Sequence, residues 1–113
     1  MANNHTFGKA PGISVVYPLT EDAKVLKRAV EIYGVPAQFD QLEEECAELL
    51  LALKHYKKEK ACIGDVVEEM ADVLIMIHQL GSIHADALLN NYNFKLNRLA
   101  ERLENEERKH GQG

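Results

Sequence analysis

The chain has 113 residues, 46% of them hydrophobic and 27% charged, which fits one globular domain large enough to bury a core of its own. A formal net charge of −5 offers no positive field to a phosphate backbone and argues against nucleic-acid polymers as partners. The apolar run Val73 to Ile77, which no other run in the sequence exceeds, is far too short to span a bilayer, and no signal-peptide h-region opens the sequence, so a cytoplasmic protein without membrane attachment is expected.

Taken in chain order, the first segment differs from the rest. Asn3, Asn4, Gly8, Pro11, Gly12 and Pro18 punctuate it, and Ile13-Ser-Val-Val-Tyr17 is apolar and rich in β-branched residues. Residues 1–18 therefore read as an extended arm with room for one short strand, docked on its own bundle or on a partner subunit, or else as a tail. A first helix is predicted to start at Thr20 as N-cap, with Glu21 and Asp22 in its first turn. Ala23, Leu26, Ala29, Val30 and Tyr33 keep helical spacing until Gly34 and Pro36 stop it. A second helix follows Pro36 and ends near Lys57, where Lys54, Lys57 and Lys58 suit the negative terminus. Glu59 to Gly64 is a loop.

The third helix is predicted to open on Asp65 as N-cap with Glu68 at N3, an approximate capping box, and to break at Gly81-Ser82. Val67, Ala71 and Ile75 lie off its main apolar stripe, so the helix is apolar nearly all round and needs cover on two sides. Together with Leu51 they predict a subunit interface centred on this helix, hence a homodimer or homotetramer. A fourth helix runs from about His84 to Arg108. Its apolar face is Ala85, Leu88, Leu89, Tyr92, Leu96, Leu99 and Leu103, with Asn91, Lys95, Arg98 and Arg102 on a neighbouring strip. The charged tail from Glu104 to Gly113 is expected to fray. Cys46 and Cys62 fit no metal or redox spacing, and Cys46 falls on a core stripe, so free thiols are expected. The fold class is all-α: a four-helix bundle-like subunit over residues 19–113 with an extended N-terminal arm, assembling as a helical oligomer.

Four acids carry the chemistry. Glu45 and Glu48 stand at spacing i, i+3 in Gln41-Leu-Glu-Glu-Glu-Cys-Ala-Glu48, and Glu69 and Asp72 repeat it in the third helix. Residues three apart share one helix face. With Glu45 or Glu69 set at zero and about 100° per residue, Leu42, Cys46, Leu49, Leu50 and Leu53 occupy the same sector as Val66, Met70, Val73, Leu74 and Ile77. If the two helices pack antiparallel on those stripes, the four carboxylates meet at one seam. Such a seam is repulsive unless a cation or protons intervene. An all-oxygen donor set suits Mg²⁺ or Mn²⁺ rather than Zn²⁺, and the missing Glu-x-x-His argues against a di-iron bundle. Mg²⁺ usually completes its shell with water and substrate phosphates. Lys95, Arg98 and Arg102 near that seam therefore suggest a polyphosphate substrate, the alternative being a solvated helix face. His78, His55 and His84 join no visible constellation.

These residues resemble a known family. Glu44-Glu45-Cys-Ala-Glu48-Leu49, Glu68-Glu69-Met-Ala-Asp72-Val-Leu74 and Asn93-Phe-Lys95-Leu-Asn-Arg98-Leu99 look like the Glu-x-x-Glu, Glu-x-x-Asp and Asn-x-Lys-x-x-Arg motifs of the MazG-like nucleoside triphosphate pyrophosphohydrolases. The resemblance covers Pro36 to Leu103. It implies an all-α dimer or tetramer that uses Mg²⁺ to cleave a (deoxy)nucleoside triphosphate into the monophosphate and pyrophosphate, in the manner of nucleotide-pool house-cleaning. It further implies Glu45, Glu48, Glu69 and Asp72 as metal ligands and catalytic acids, Lys95 and Arg98 on the phosphates, and Asn93 nearby. The related phosphoribosyl-ATP pyrophosphohydrolases share that fold, but Asp72-Val-Leu-Ile lacks the Tyr-His expected of them. Two alternatives stand beside this expectation: a dUTP- or dCTP-type hydrolase of the same superfamily, and a non-catalytic helical interaction module that keeps the acids as a structural ion site.

Overall fold

The computed structural model describes residues 23–112, which form four helices and no strand. The extended arm and the Thr20 cap lie outside the described residues. The first helix, α1 (Ala23–Tyr33), ends where the sequence predicts. Gly34 takes a φ of 85°, a left-handed conformation that strains any residue with a Cβ, and its N–H donates to the Val30 carbonyl at 2.8 Å. The second helix, α2 (Val35–Lys57), starts on the next residue with Pro36 in its first turn, where a missing N–H has no partner to lose. Lys54, His55 and Lys57 occupy its last turn and complement the exposed carbonyls there.

The third helix, α3 (Ile63–Gly81), begins earlier than predicted, with Cys62 as N-cap. Asp65 sits at N3, and its Oδ2 accepts hydrogen bonds from the Cys62 N–H at 2.9 Å and the Cys62 thiol at 3.4 Å. Its carboxylate caps the helix, but from inside the first turn, so the predicted Asp65/Glu68 box is shifted by one turn. The last helix, α4 (Ala85–Gln112), runs past the predicted end. The charged stretch expected to fray stays helical, with an exposed Lys109–Glu106 pair at 3.5 Å and an Arg108–Asn105 hydrogen bond on its surface.

Helices α2 and α3 form the main packing contact, and α1 rests on both. They run antiparallel: Gln38 near the start of α2 meets Gln79 near the end of α3, where the Gln79 amide donates to the Gln38 carbonyl oxygen. The buried core among the described residues is small, consisting of Val66, Met76 and Leu80 with those two glutamines. Val66, Met76 and Leu80 all fall within roughly 60° of Glu69 on the helix wheel. The core is thus rotated toward the acids relative to the predicted stripe. Met70, Ile77 and Leu50 are exposed at 54%, 39% and 55%, and Cys46 is exposed rather than on a core face. The physical reason is width: the apolar sector is broader than one neighbouring helix can cover, and α2 and α3 meet on its acid-side edge.

The predicted four-helix bundle does not close within one chain, because α4 makes few contacts with the other helices. Backbone hydrogen bonds carry the chain from α3 into α4 through Ser82 to His78, Ile83 to Leu80, His84 to Gly81 and Leu88 to His84. These i−3 and i−4 bonds make a compact three-residue turn, and α4 leaves it with few contacts to the other helices. Gly81 admits Leu88 against this turn, since a Cβ there would lie 2.5 Å from the leucine Cδ2.

Candidate metal centre

The antiparallel seam brings Glu45 and Glu48 of α2 beside Glu69 of α3, one carboxylate oxygen of each lying within 4.8 Å of the others. Three of the four predicted acids therefore meet. Glu45 is fixed by a hydrogen bond from Gln41 Nε2 at 2.8 Å, an i, i+4 contact along the same helix face. Glu48 is exposed, whereas Glu45 and Glu69 are half-buried. Asp72 is exposed one turn beyond Glu69 and lies outside this three-oxygen group.

Glu69 is the focus of the cluster. Its Oε2 is buried with no hydrogen-bond partner, an arrangement that native interiors seldom leave unanswered. Burial pushes its carboxyl above the ordinary value of 4.5, and the neighbouring carboxylates of Glu48, Asp72, Glu45 and Glu68 push it further the same way. Both causes oppose a bare negative charge at this position. A hard divalent cation would reverse them, giving the orphaned oxygen a partner and the converging charges a counter-ion. The residues present therefore fit Mg²⁺ or Mn²⁺, with Glu45, Glu48 and Glu69 as the side chains that would hold it.

Beside the acids opens a cavity of about 360 Å³, lined by Glu48, Leu51, Ala52, His55, Ala61, Asp65, Glu68 and Glu69. His55, which joins no constellation in the sequence, thus shares a wall with the acids. The signal lies in the spacing: His55 follows Glu48 by seven residues, two turns along one face. Ala52 and Ala61 also line it, which sequence periodicity does not flag. Asn93, Lys95 and Arg98 sit on α4, away from this cavity, and none is among its lining residues. The Arg98 guanidinium lies over the Phe94 ring at 5.9 Å from its centroid, within cation–π range. Compared with known protein families, curated proteins and solved structures, the chain matches none.

Proposed function

We propose that the protein is a metal-dependent nucleoside triphosphate pyrophosphohydrolase that uses Mg²⁺ or Mn²⁺ held by Glu45, Glu48 and Glu69, with Asp72 as a fourth acid at the edge. The observation that carries the reading is the convergence of three carboxylate oxygens within 4.8 Å around a buried, unpartnered Glu69 oxygen at the wall of an open cavity. The motif pattern of Glu45/Glu48, Glu69/Asp72 and Asn93/Lys95/Arg98 supports the choice of substrate, a (deoxy)nucleoside triphosphate. The ion, when bound, supplies charge neutralisation for the polyphosphate and for the departing pyrophosphate. A water attacks the α-phosphorus, the bond to the bridging oxygen breaks, and pyrophosphate leaves. A carboxylate of the cluster not engaged by the ion accepts the proton of that water. Lys95 and Arg98 bind the phosphates, and a homodimer or homotetramer in the cytoplasm is the proposed working form.

One observation favours a second reading. Lys95 and Arg98 do not reach the acid cluster within a single chain, which suits a helical interaction module with a structural ion site. Both readings are separated by incubating the protein with each common nucleoside triphosphate, dUTP and dCTP included, in Mg²⁺ and scoring pyrophosphate release. Release that stops in excess chelator and with Glu69→Gln is the expected result. No release from any nucleotide, or release undiminished by chelator, overturns the enzyme assignment.

A further inference from the structure

Among the described residues, an apolar stripe and an apolar groove of this chain both stand open to solvent. One is the stripe on α4: Leu88, Leu89 and Tyr92 are exposed at 42%, 58% and 58%, and Leu96, Leu99 and Leu103 at 36%, 39% and 37%. The other is a groove of about 470 Å³ walled by Leu49 of α2 and by Val67, Met70, Ala71, Val73, Leu74 and Ile77 of α3. A helix stripe of leucines and an apolar groove between two helices are complementary by the ordinary rules of helix packing.

We infer that the groove between α2 and α3 receives the apolar stripe of α4 from a second copy of this chain, and that the exchange is mutual. The chain's own α4 is not the occupant. Its junction with α3 is held by hydrogen bonds from Ser82, Ile83 and His84 to carbonyls of α3, with Leu88 packed against Gly81, and α4 makes few contacts with the helices that wall the groove. Closing it back would break those bonds. A second copy satisfies both surfaces at once, because a twofold exchange puts each stripe in the other chain's groove. The area agrees: each copy contributes both a six-residue stripe and a groove, so the surface covered is of the same order as the ~800 Å² per partner of a standard stable interface. The exchange depends on neither the metal nor the nucleotide.

The test uses the full chain with a photoreactive benzophenone amino acid at position 99, mixing ¹⁴N- and ¹⁵N-labelled copies. Sedimentation is expected to show a dimer at micromolar concentration, and irradiation to give mixed-isotope adducts on residues 67–77 of the other chain. Leu99→Asp and Leu74→Asp should each abolish the dimer. Mixing the two variants should restore association, because one stripe and its groove remain intact in the mixed pair. If either variant fails to fold alone, restoration on mixing and the cross-link in the otherwise native chain carry the test. Adducts within one chain, adducts between two α4 helices, a monomeric native chain, or a Leu99→Asp protein that still dimerises would each overturn the inference.

Discussion

The Gln79 side-chain amide donates a hydrogen bond to the Gln38 side-chain oxygen across 41 residues of sequence, and both side chains are buried, at 5% and 7% exposure. This polar pair ties the start of α2 to the end of α3 and so sets the register in which Glu45 and Glu48 pass Glu69. Removing one partner strands the other in the core, which costs about 1–3 kcal/mol, whereas replacing both with apolar groups of similar shape is close to neutral. Gln38→Ala and Gln79→Ala should each therefore destabilise by ~1–3 kcal/mol in urea titration, and the Gln38→Met/Gln79→Met double variant by much less. A double variant as unstable as the single ones would show that the pair is not coupled.

A second expectation concerns Glu69→Gln. The amide keeps the shape of the side chain and removes the charge that burial and four neighbouring carboxylates oppose. Without divalent ions the variant should melt higher than the native chain at neutral pH. Its affinity for Mn²⁺, measured by calorimetry, should fall by at least ~10-fold, the lower end of what even an outer-sphere partner contributes. A variant that melts lower and binds Mn²⁺ normally would remove Glu69 from the site.

The same group predicts a pH dependence. Glu69 keeps its proton to higher pH in the fold than in the unfolded chain, so folding takes up a proton between 4.5 and the raised folded value. Across that window the metal-free protein loses stability as pH rises, and below it the penalty is absent. The melting temperature of the native chain relative to Glu69→Gln should thus improve on acidification toward the ordinary glutamate range. Saturating Mn²⁺ should flatten the difference at neutral pH and do so less well in acid, where the proton competes with the ion. A native chain that loses ground to the variant on acidification would reverse the sign and refute the assignment.

Asp65 yields a fourth. Its Oδ2 accepts the Cys62 N–H at 2.9 Å, answering a donor that the first turn of α3 leaves free. Asp65→Ala should cost about 0.5–2 kcal/mol, the usual worth of a capping side chain, and Asp65→Asn only part of that because an amide oxygen still accepts. Urea titration at neutral pH measures both, and an Asn variant as unstable as Ala would mean that charge rather than the hydrogen bond holds the turn.

Much of the fold is legible in the residues themselves. Gly34 and Pro36 mark the boundary between α1 and α2, Lys57 closes α2, and Gly81 closes α3, because each ending rests on local backbone chemistry. The start of α3 comes one turn before the predicted one because Asp65 can cap from N-cap or from N3, and the thiol of Cys62 is a poor advertisement for a cap. The meeting of Glu45, Glu48 and Glu69 follows from matched helical phase. Where the stripes mislead, as at Met70 and Ile77, the pattern measures how wide an apolar sector is and not which part a neighbour covers. The direction of α4 is not legible at all: three residues between helices can reverse a chain or bend it, and nothing in Ser82, Ile83 and His84 as residue types chooses between the two.

Little is sealed inside one copy. Val66, Met76 and Leu80 are the only apolar side chains buried among the described residues. So small a core is a weak counterweight to the conformational entropy lost in ordering four helices. With the mutual exchange of α4 proposed above, concentration becomes a folding variable for this chain. Diluting it below its dissociation constant should act as a denaturant does, with the helix signal at ~222 nm falling in step with the loss of assembly. In a cell the steady-state level of the protein would set its folded fraction, and scarcity alone would expose it to proteolysis.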